Sequence, residues 1–468
     1  MSIHQWNTEI IKQHNKETGQ ALLSDEQTLV FFSQDFGKLI QSKPSAVCIP
    51  QHLDSLQSLI TFAYQHKLPV TIRGNGLSQC GQSLPVPGGL TLSMQHFNKP
   101  LELVEDTIWV EANTSWADLL AISLQHNKAP FVLPYNCNLS VAGVLSAGGV
   151  GSSSFKYGAI NAHVSALEVI DGLGVKQIAT KDSPLFHACL SGQGQFGVIT
   201  KACMQLRAVQ SKVKTFCLVY SSQEQWFEDI YKIRDKVDYM ELFCSPSIQG
   251  AKLKEGKRVP LAQWLYGLHL SIEYEEGAAP ELNDLIKDLN PWQVINNQEE
   301  TISSYYLRHN SRFELMKMLG QWDLLHPWYE CFVATKVLKE HLAELLQRLP
   351  VHYASLVHVV PMAKQKAGFL MLPEEESICS VMILNPGVPP LLKDSCLQAI
   401  QDLDSCFIEQ GGKRYLSGFL GYELPSNYWS KHFGEQHDLW VHLKKQFDPE
   451  GIFSSRLHHT QFVKGKNL

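Results

Sequence analysis

Through the first two hundred residues the apolar positions alternate between short runs and helical faces. Ala46–Ile49 reads as a strand ended by Pro50. Leu53, Leu56, Leu59, Ile60 and Ala63 then fall on one face of a helix. Pro69–Arg73 is the next predicted strand, and it runs directly into Gly74–Asn75–Gly76–Leu77–Ser78 and Gly81. Leu90–Met94 and Ile108–Ala112 are further strands. Ser115 is placed to cap a helix from Trp116 to about His126, with Trp116, Leu119, Leu120 and Leu124 along one side. Ala166–Asp171 and Val198–Ala202 complete this interleaved region. From about Ser211 to about Leu420 glycine thins out and longer helical segments are predicted at Gln223–Lys236, Pro280–Leu289 and Lys336–Leu349. This reads as a second domain. The segment Tyr428–Phe462 is compact and aromatic.

The 468 residues suit two domains better than one core. A net charge of -6 argues against nucleic acid as a partner, which asks for a concentrated basic stripe. Lys252, Lys254, Lys257 and Arg258 read as a solvated loop. No stretch approaches a membrane span, and Met1–Gln20 lacks the apolar run of a signal peptide. The eleven cysteines are scattered without a C-x-x-C pair, as expected of reduced, mostly buried thiols in a cytoplasmic protein. Adjacent His458 and His459 have no suitably spaced third ligand, so no metal is expected.

Three glycine clusters carry the candidate chemistry: Gly74–Gly81, Gly143–Gly158 and Gly192–Gly197. Glycine lets backbone N–H groups approach a ligand unobstructed, and successive N–H groups form anion-binding nests. Several such loops in one domain suit an extended cofactor with a pyrophosphate. A nicotinamide fingerprint is rejected at the first cluster: no helix opens after Gly81, and the chain meets Pro85, Pro87 and Gly88–Gly89 instead.

At these residues the sequence resembles the vanillyl-alcohol oxidase / p-cresol methylhydroxylase family of FAD enzymes, and within it the cytokinin dehydrogenases. The likeness runs from about Lys43 to Phe462. It is carried by Arg73–Gly74–Asn75–Gly76–Leu77–Ser78 with Gly81–Gln82, by Leu139–Gly143 with Gly148–Gly149 and Phe155–Gly158, and by Ser191–Thr200. Asp238–Tyr239–Met240–Glu241, Trp322–Trp328, His432–Gly434 and Phe447–Phe453 add narrower matches. The resemblance implies an α+β chain in two domains: an FAD-binding domain from residues 1–208, a substrate-binding cap from 209–420, and a return to the FAD domain over 421–468. It implies FAD contacts from Arg73, Gly74, Asn75, Gly76, Leu77, Ser78, Gln82, Ser140, Gly143, Ser146, Gly148, Gly149, Ser153 and Ile199.

Three departures from the family pattern shape the expected chemistry. Leu77 stands where the family's flavin-linking histidine falls, which implies non-covalent FAD. Tyr135 stands where cytokinin dehydrogenases carry the aspartate that accepts the substrate's proton. Ser455–Arg456–Leu457 replaces a proline–glycine–glutamine that lies near the flavin pyrimidine in relatives. Carbon–hydrogen cleavage beside N or O is easier when a base takes the N–H or O–H proton. The candidates are Tyr135, Glu241 and His326, with Tyr305, Tyr306, Trp322, Trp328 and Tyr329 as aromatic walls. The expected function is oxidation of a small amine or alcohol. Alternatives are oxidation of a hydroxy acid, alditol or phenol, or a catalytically silent flavin-binding protein. Oxygen or a quinone is the expected electron acceptor, and the chain is a monomer or homodimer.

Overall fold

The computed structural model describes residues 4–458, and these form three β-sheets. The first is parallel, with Leu90–Ser93 between Ala46–Cys48 and Val70–Arg73. The helix Leu53–His66 makes the crossover that parallel strands require, burying Leu56, Leu59, Ile60 and Ala63 as their spacing predicts. The second sheet is antiparallel and runs Pro100–Val104, Thr107–Glu111, Gly197–Ala208, Val164–Asp171, Lys176–Thr180. Ser115 caps the helix Trp116–Ser123 by accepting from the Asp118 N–H, and a 3-10 turn extends it to His126.

The chain ends return to the parallel sheet. Trp6 lies in that sheet's core and its indole N–H donates to Pro69 O at 3.0 Å. Two helices, Thr8–Thr18 and Glu26–Phe31, precede Ser42, where the hydrophobic pattern first becomes clear. At the other end Val70 N donates to Ile452 O at 2.7 Å and Thr71 Oγ1 to Ser454 O at 2.6 Å. The buried Lys444 ammonium sits 2.7 Å from Asp448 and also donates to Gln195 O and Phe453 O, tying this tail to the third glycine loop.

The third sheet supplies the strands of the α+β cap, which the sequence reading did not place residue by residue. Residues 212–414 carry eight antiparallel strands in the order Gln293–Thr301, Lys212–Tyr220, Lys257–Tyr274, Tyr239–Lys254, Val357–Met362, Ile378–Ile383, Tyr329–Ala334, Lys413–Arg414. Within the expected α+β cap, only helical segments stand out in the sequence. The reason they dominated the pattern is burial on both faces: Tyr239, Met240, Glu241 and Leu242 are all buried, so the period-two signal of a strand disappears. The predicted helix Pro280–Leu289 contracts to Leu282–Ile286, and Gln223–Lys236 to Gln223–Ile233 followed by a 3-10 turn. Lys336–Leu349 is found as Thr335–Arg348. Lys252, Lys254, Lys257 and Arg258 flank the tip of a long hairpin rather than an irregular loop.

All eleven cysteines are unpaired; ten are buried and Cys406 is partly so. Among the described residues no helix is long and apolar enough to cross a membrane, and no group of three metal-ligating side chains assembles. His458 stacks on Trp429 at 4.2 Å; His459 lies outside the described residues.

Candidate active site

A cleft opens where Val70–Arg73 runs out at its C-terminal end, between the parallel sheet, the second sheet and one face of the third. Ile72, Met94, Ala112 and Ile199 line it from the first two sheets. Of the residues expected to hold FAD, Gly74, Asn75, Gly76, Leu77, Ser78, Gln82, Ser140, Gly143, Ser146, Gly149 and Ile199 line this cleft.

Arg73, Gly148 and Ser153 do not. Arg73 is buried beneath the first loop, where a Cβ on Gly76 would come within 2.3 Å of its guanidinium. Gly76 has φ +69°, so this tight turn over a buried arginine selects glycine twice over. Gly148 ends the helix Val141–Ala147. Ser153 lies behind Tyr135, donating to Phe131 O at 2.8 Å.

The first loop is clamped from a segment with no sequence signal. Asp35 accepts from Ser78 Oγ at 3.0 Å and from Gly81 N at 2.9 Å, while Phe36 N donates to Gly76 O. Burial pushes the Asp35 carboxyl up to about 6 against those hydrogen bonds. Gln82 reaches across to donate to Leu416 O at 2.8 Å, tying the loop to the chain beyond the third sheet. The second and third loops are bonded to each other, Ser191 N to Leu145 O and Gln193 N to Ser146 O. Gly143 is required by close approach: a Cβ there would meet Ser140 Oγ at 2.6 Å.

Register places the opposite wall. His358 pairs with Met382 and Met382 with Glu330 on three adjacent strands, so the three side chains form one row on one face. All three line the cleft, as does Tyr415, whose hydroxyl accepts from Gly149 N at 2.8 Å. Phe243 pairs with His358 and extends the row. Glu241, two residues earlier, shares its face. The helix Asn310–Met318 adds Arg312 and Phe313 to the lining. Leu77, Phe36, Phe313, Met316, Trp322 and Trp328 make one apolar cluster at the head of the cleft.

The three candidate bases separate. Tyr135 lines the cleft, edge-on to His309 at 5.1 Å and to His358 at 5.6 Å. Burial, and secondarily the charge of Glu241, hold its phenol protonated far above neutral pH. Glu241 is not in the cleft lining. It is buried against Arg308 Nη2 at 2.9 Å and His309 Nε2 at 2.7 Å. Although burial works the other way, Arg308 and His309 hold its carboxyl well below the usual range. Such a carboxylate is a weak base. His326 does not line the cleft either: it stacks on Phe36 at 3.9 Å, and burial lowers it to about 4. It is a packing residue.

Trp322 and Trp328 are walls of the cleft as expected, whereas Tyr305, Tyr306 and Tyr329 lie in the hydrophobic core. Ser455–Arg456–Leu457 does not line the cleft; Arg456 packs on Gly81 instead. Sequence reasoning missed His309, Arg312, Glu330, His358, Met382 and Tyr415, which lie in the lining but come from five separate segments with no motif. Gln193, Gly194 and Gly197 also line it and belong to a loop whose motif was visible.

Two family models match the chain. One, an FAD binding domain, covers residues 44–178; the other, described as cytokinin dehydrogenase 1, FAD and cytokinin binding, covers residues 210–457. The chain belongs to the cytokinin dehydrogenase family. Similar curated proteins include cytokinin dehydrogenase 3 of Arabidopsis thaliana, 25% identical over 96% of this chain and 91% of its own length. Cytokinin dehydrogenase 5 of the same plant is 26% identical over 91% of this chain and 86% of its own length. An uncharacterized oxidoreductase from the fasciation locus of Rhodococcoides fascians is 24% identical over 92% and 97%.

This cytokinin dehydrogenase family member is accordingly an FAD-dependent oxidoreductase of α+β architecture, with a p-cresol methylhydroxylase-type FAD-binding domain and a cytokinin dehydrogenase substrate domain. The cleft fits FAD on its own terms. Backbone from all three glycine loops lines it, and the buried Gln79 Oε1 and Asn113 Oδ1 on its walls lack partners among the described residues. Orphaned buried polar atoms are costly unless a ligand satisfies them.

Proposed function

We propose that this enzyme oxidises a small amine or alcohol using FAD held without a covalent bond, with His309 taking the substrate's N–H or O–H proton. The carrying observation is the 2.7 Å contact of His309 Nε2 with the buried, ionised Glu241. A carboxylate accepts from Nε2–H, which fixes the tautomer and leaves Nδ1 as the basic position of a ring that lines the cleft. When bound, FAD supplies the two-electron acceptor.

Tyr135 then acts as a neutral wall, Glu241 as a positioning residue, and Trp322, Trp328 and Phe313 exclude water from the reacting centre. Leu77 supports dissociable flavin, because a leucine offers no nitrogen for a link. Residues 1–208 with 421–468 form the FAD domain in this reading, 209–420 the cap, and oxygen or a quinone reoxidises the flavin. The eleven unpaired cysteines support a reducing, cytoplasmic setting.

The test is a visible spectrum before and after acid precipitation, followed by anaerobic titration with amines and alcohols. Flavin bands near about 375 and 450 nm that move into the supernatant, and that bleach with substrate, are expected. Flavin that stays with the pellet contradicts the non-covalent reading. Bound flavin that no amine or alcohol reduces contradicts the reaction.

A further inference from the structure

Arg312 is the unbalanced charge of the cleft. Among the described residues six ionisable side chains line it: Tyr135, His309, Arg312, Glu330, His358 and Tyr415. The phenols of Tyr135 and Tyr415 are held protonated by burial. His358 is neutral, burial lowering it to about 3 with Arg312 adding to the effect. Glu330 is pushed up to about 8 by burial, so it is an uncharged acid at neutral pH. Just behind the lining, the Glu241 carboxylate is matched by Arg308, and His309 Nε2 contacts Oε1, the oxygen that Arg308 Nη2 also approaches.

Arg312 remains a full cation. It has no carboxylate within ion-pair distance among the described residues; its guanidinium donates to Leu384 O and, at 3.5 Å, to His358 Nε2. A half-buried guanidinium satisfied only by neutral acceptors retains an uncompensated charge, and that is costly unless a ligand brings the counter-charge. Its place is the substrate end, one residue before Phe313 and beside the His358 that edges Tyr135. The glycine loops that suit the pyrophosphate are contributed by other elements.

We propose that the substrate carries a carboxylate, which Arg312 binds while the amine or alcohol carbon is presented to the flavin between Trp328, Trp322 and Phe313. The substrate class is thus a planar or aromatic amino or hydroxy compound with an acidic group. This rests on the reading of the cleft as an FAD-dependent oxidase site. The guanidinium's planar fork matches a carboxylate, whereas a neutral ring leaves it unpaired.

The test uses the flavin-loaded enzyme and two inert probes of equal shape, benzoate and benzamide, followed by perturbation of the flavin absorbance. Benzoate is expected to bind at least about tenfold more tightly than benzamide. Arg312→Gln is expected to abolish that preference, and Arg312→Lys to keep part of it. Flavin content and melting temperature confirm that each variant is folded. No response to benzoate, or one that benzamide matches, overturns the proposal. So does an Arg312→Gln enzyme whose flavin potential moves while its benzoate preference stays, since Arg312 would then serve the flavin. Failure of the underlying reading shows separately, as protein that takes up no FAD at all.

Discussion

His309 Nε2 donates to Glu241 Oε1 across 2.7 Å, joining a residue of the cleft lining to a carboxylate two residues from Phe243 on the same strand face. Arg308 approaches the same carboxylate from the adjacent position in the chain, so Glu241 stays ionised despite full burial. A histidine held this way has one tautomer and one orientation. His309→Gln is therefore expected to slow anaerobic flavin reduction by roughly 100- to 10,000-fold. Glu241→Gln keeps the shape and loses the charge. It should slow reduction by roughly 10- to 1,000-fold with flavin content unchanged. Wild-type rates in both variants would remove His309 from the chemistry.

By the sequence resemblance Tyr135 stands in for the family's proton-accepting aspartate, yet its hydroxyl has no partner among the described residues and its phenol is held protonated. Tyr135→Phe should therefore slow flavin reduction by less than about tenfold and leave the pH profile in place. A loss as large as that of His309→Gln would restore the tyrosine as the base.

Leu77 lines the cleft within the cluster of Phe36, Phe313, Trp322 and Trp328. By the sequence resemblance, Leu77→His restores the family's linking histidine in the wall of the cleft proposed to hold the flavin. A fraction of the yellow colour should then precipitate with the protein in acid. A colourless pellet from folded, flavin-loaded variant would show that the ring sits differently here.

Glu330 is buried beside Met382 with its carboxyl raised to about 8, and Ser417 Oγ donates to it. Unfolded, the same carboxyl ionises near about 4.3. The folded state therefore holds a proton that the unfolded state has lost between those values. Stability from this group is complete below about pH 4 and declines as pH rises to about 8, by an amount on the order of several kcal/mol. Denaturant titrations at pH 5 and pH 9 should show Glu330→Gln losing less stability than wild type over that interval. Equal losses would place an ionised carboxylate at this site.

The glycine loops were legible in the sequence because their requirement is local. Gly76 needs a positive φ over Arg73 and Gly143 needs to clear Ser140, and both constraints act within a few residues or a single contact. The helix Leu53–His66 was legible for the same reason, since its buried face repeats every turn. The cap was not. Tyr329–Ala334 and Ile378–Ile383 are buried on both sides, so no strand period survives there, although Lys257–Tyr274 keeps alternate buried positions from Ala262 to Leu270.

The site divides along the same line. The sequence by itself determined a family, a cofactor, and the absence of a linking nitrogen at residue 77, because these depend on which residues stand in contiguous motifs. Which groups line the cleft was decided only by tertiary structure. Cross-strand register puts His358, Met382 and Glu330 in one row, and burial then neutralises the first and last of them. Chain separation hid the rest: Glu241 and His309 lie 68 residues apart, and Asp35 holds the first loop from 43 residues before Ser78. Protonation state follows from desolvation and from the partners a fold assembles, and neither can be read from residue type alone.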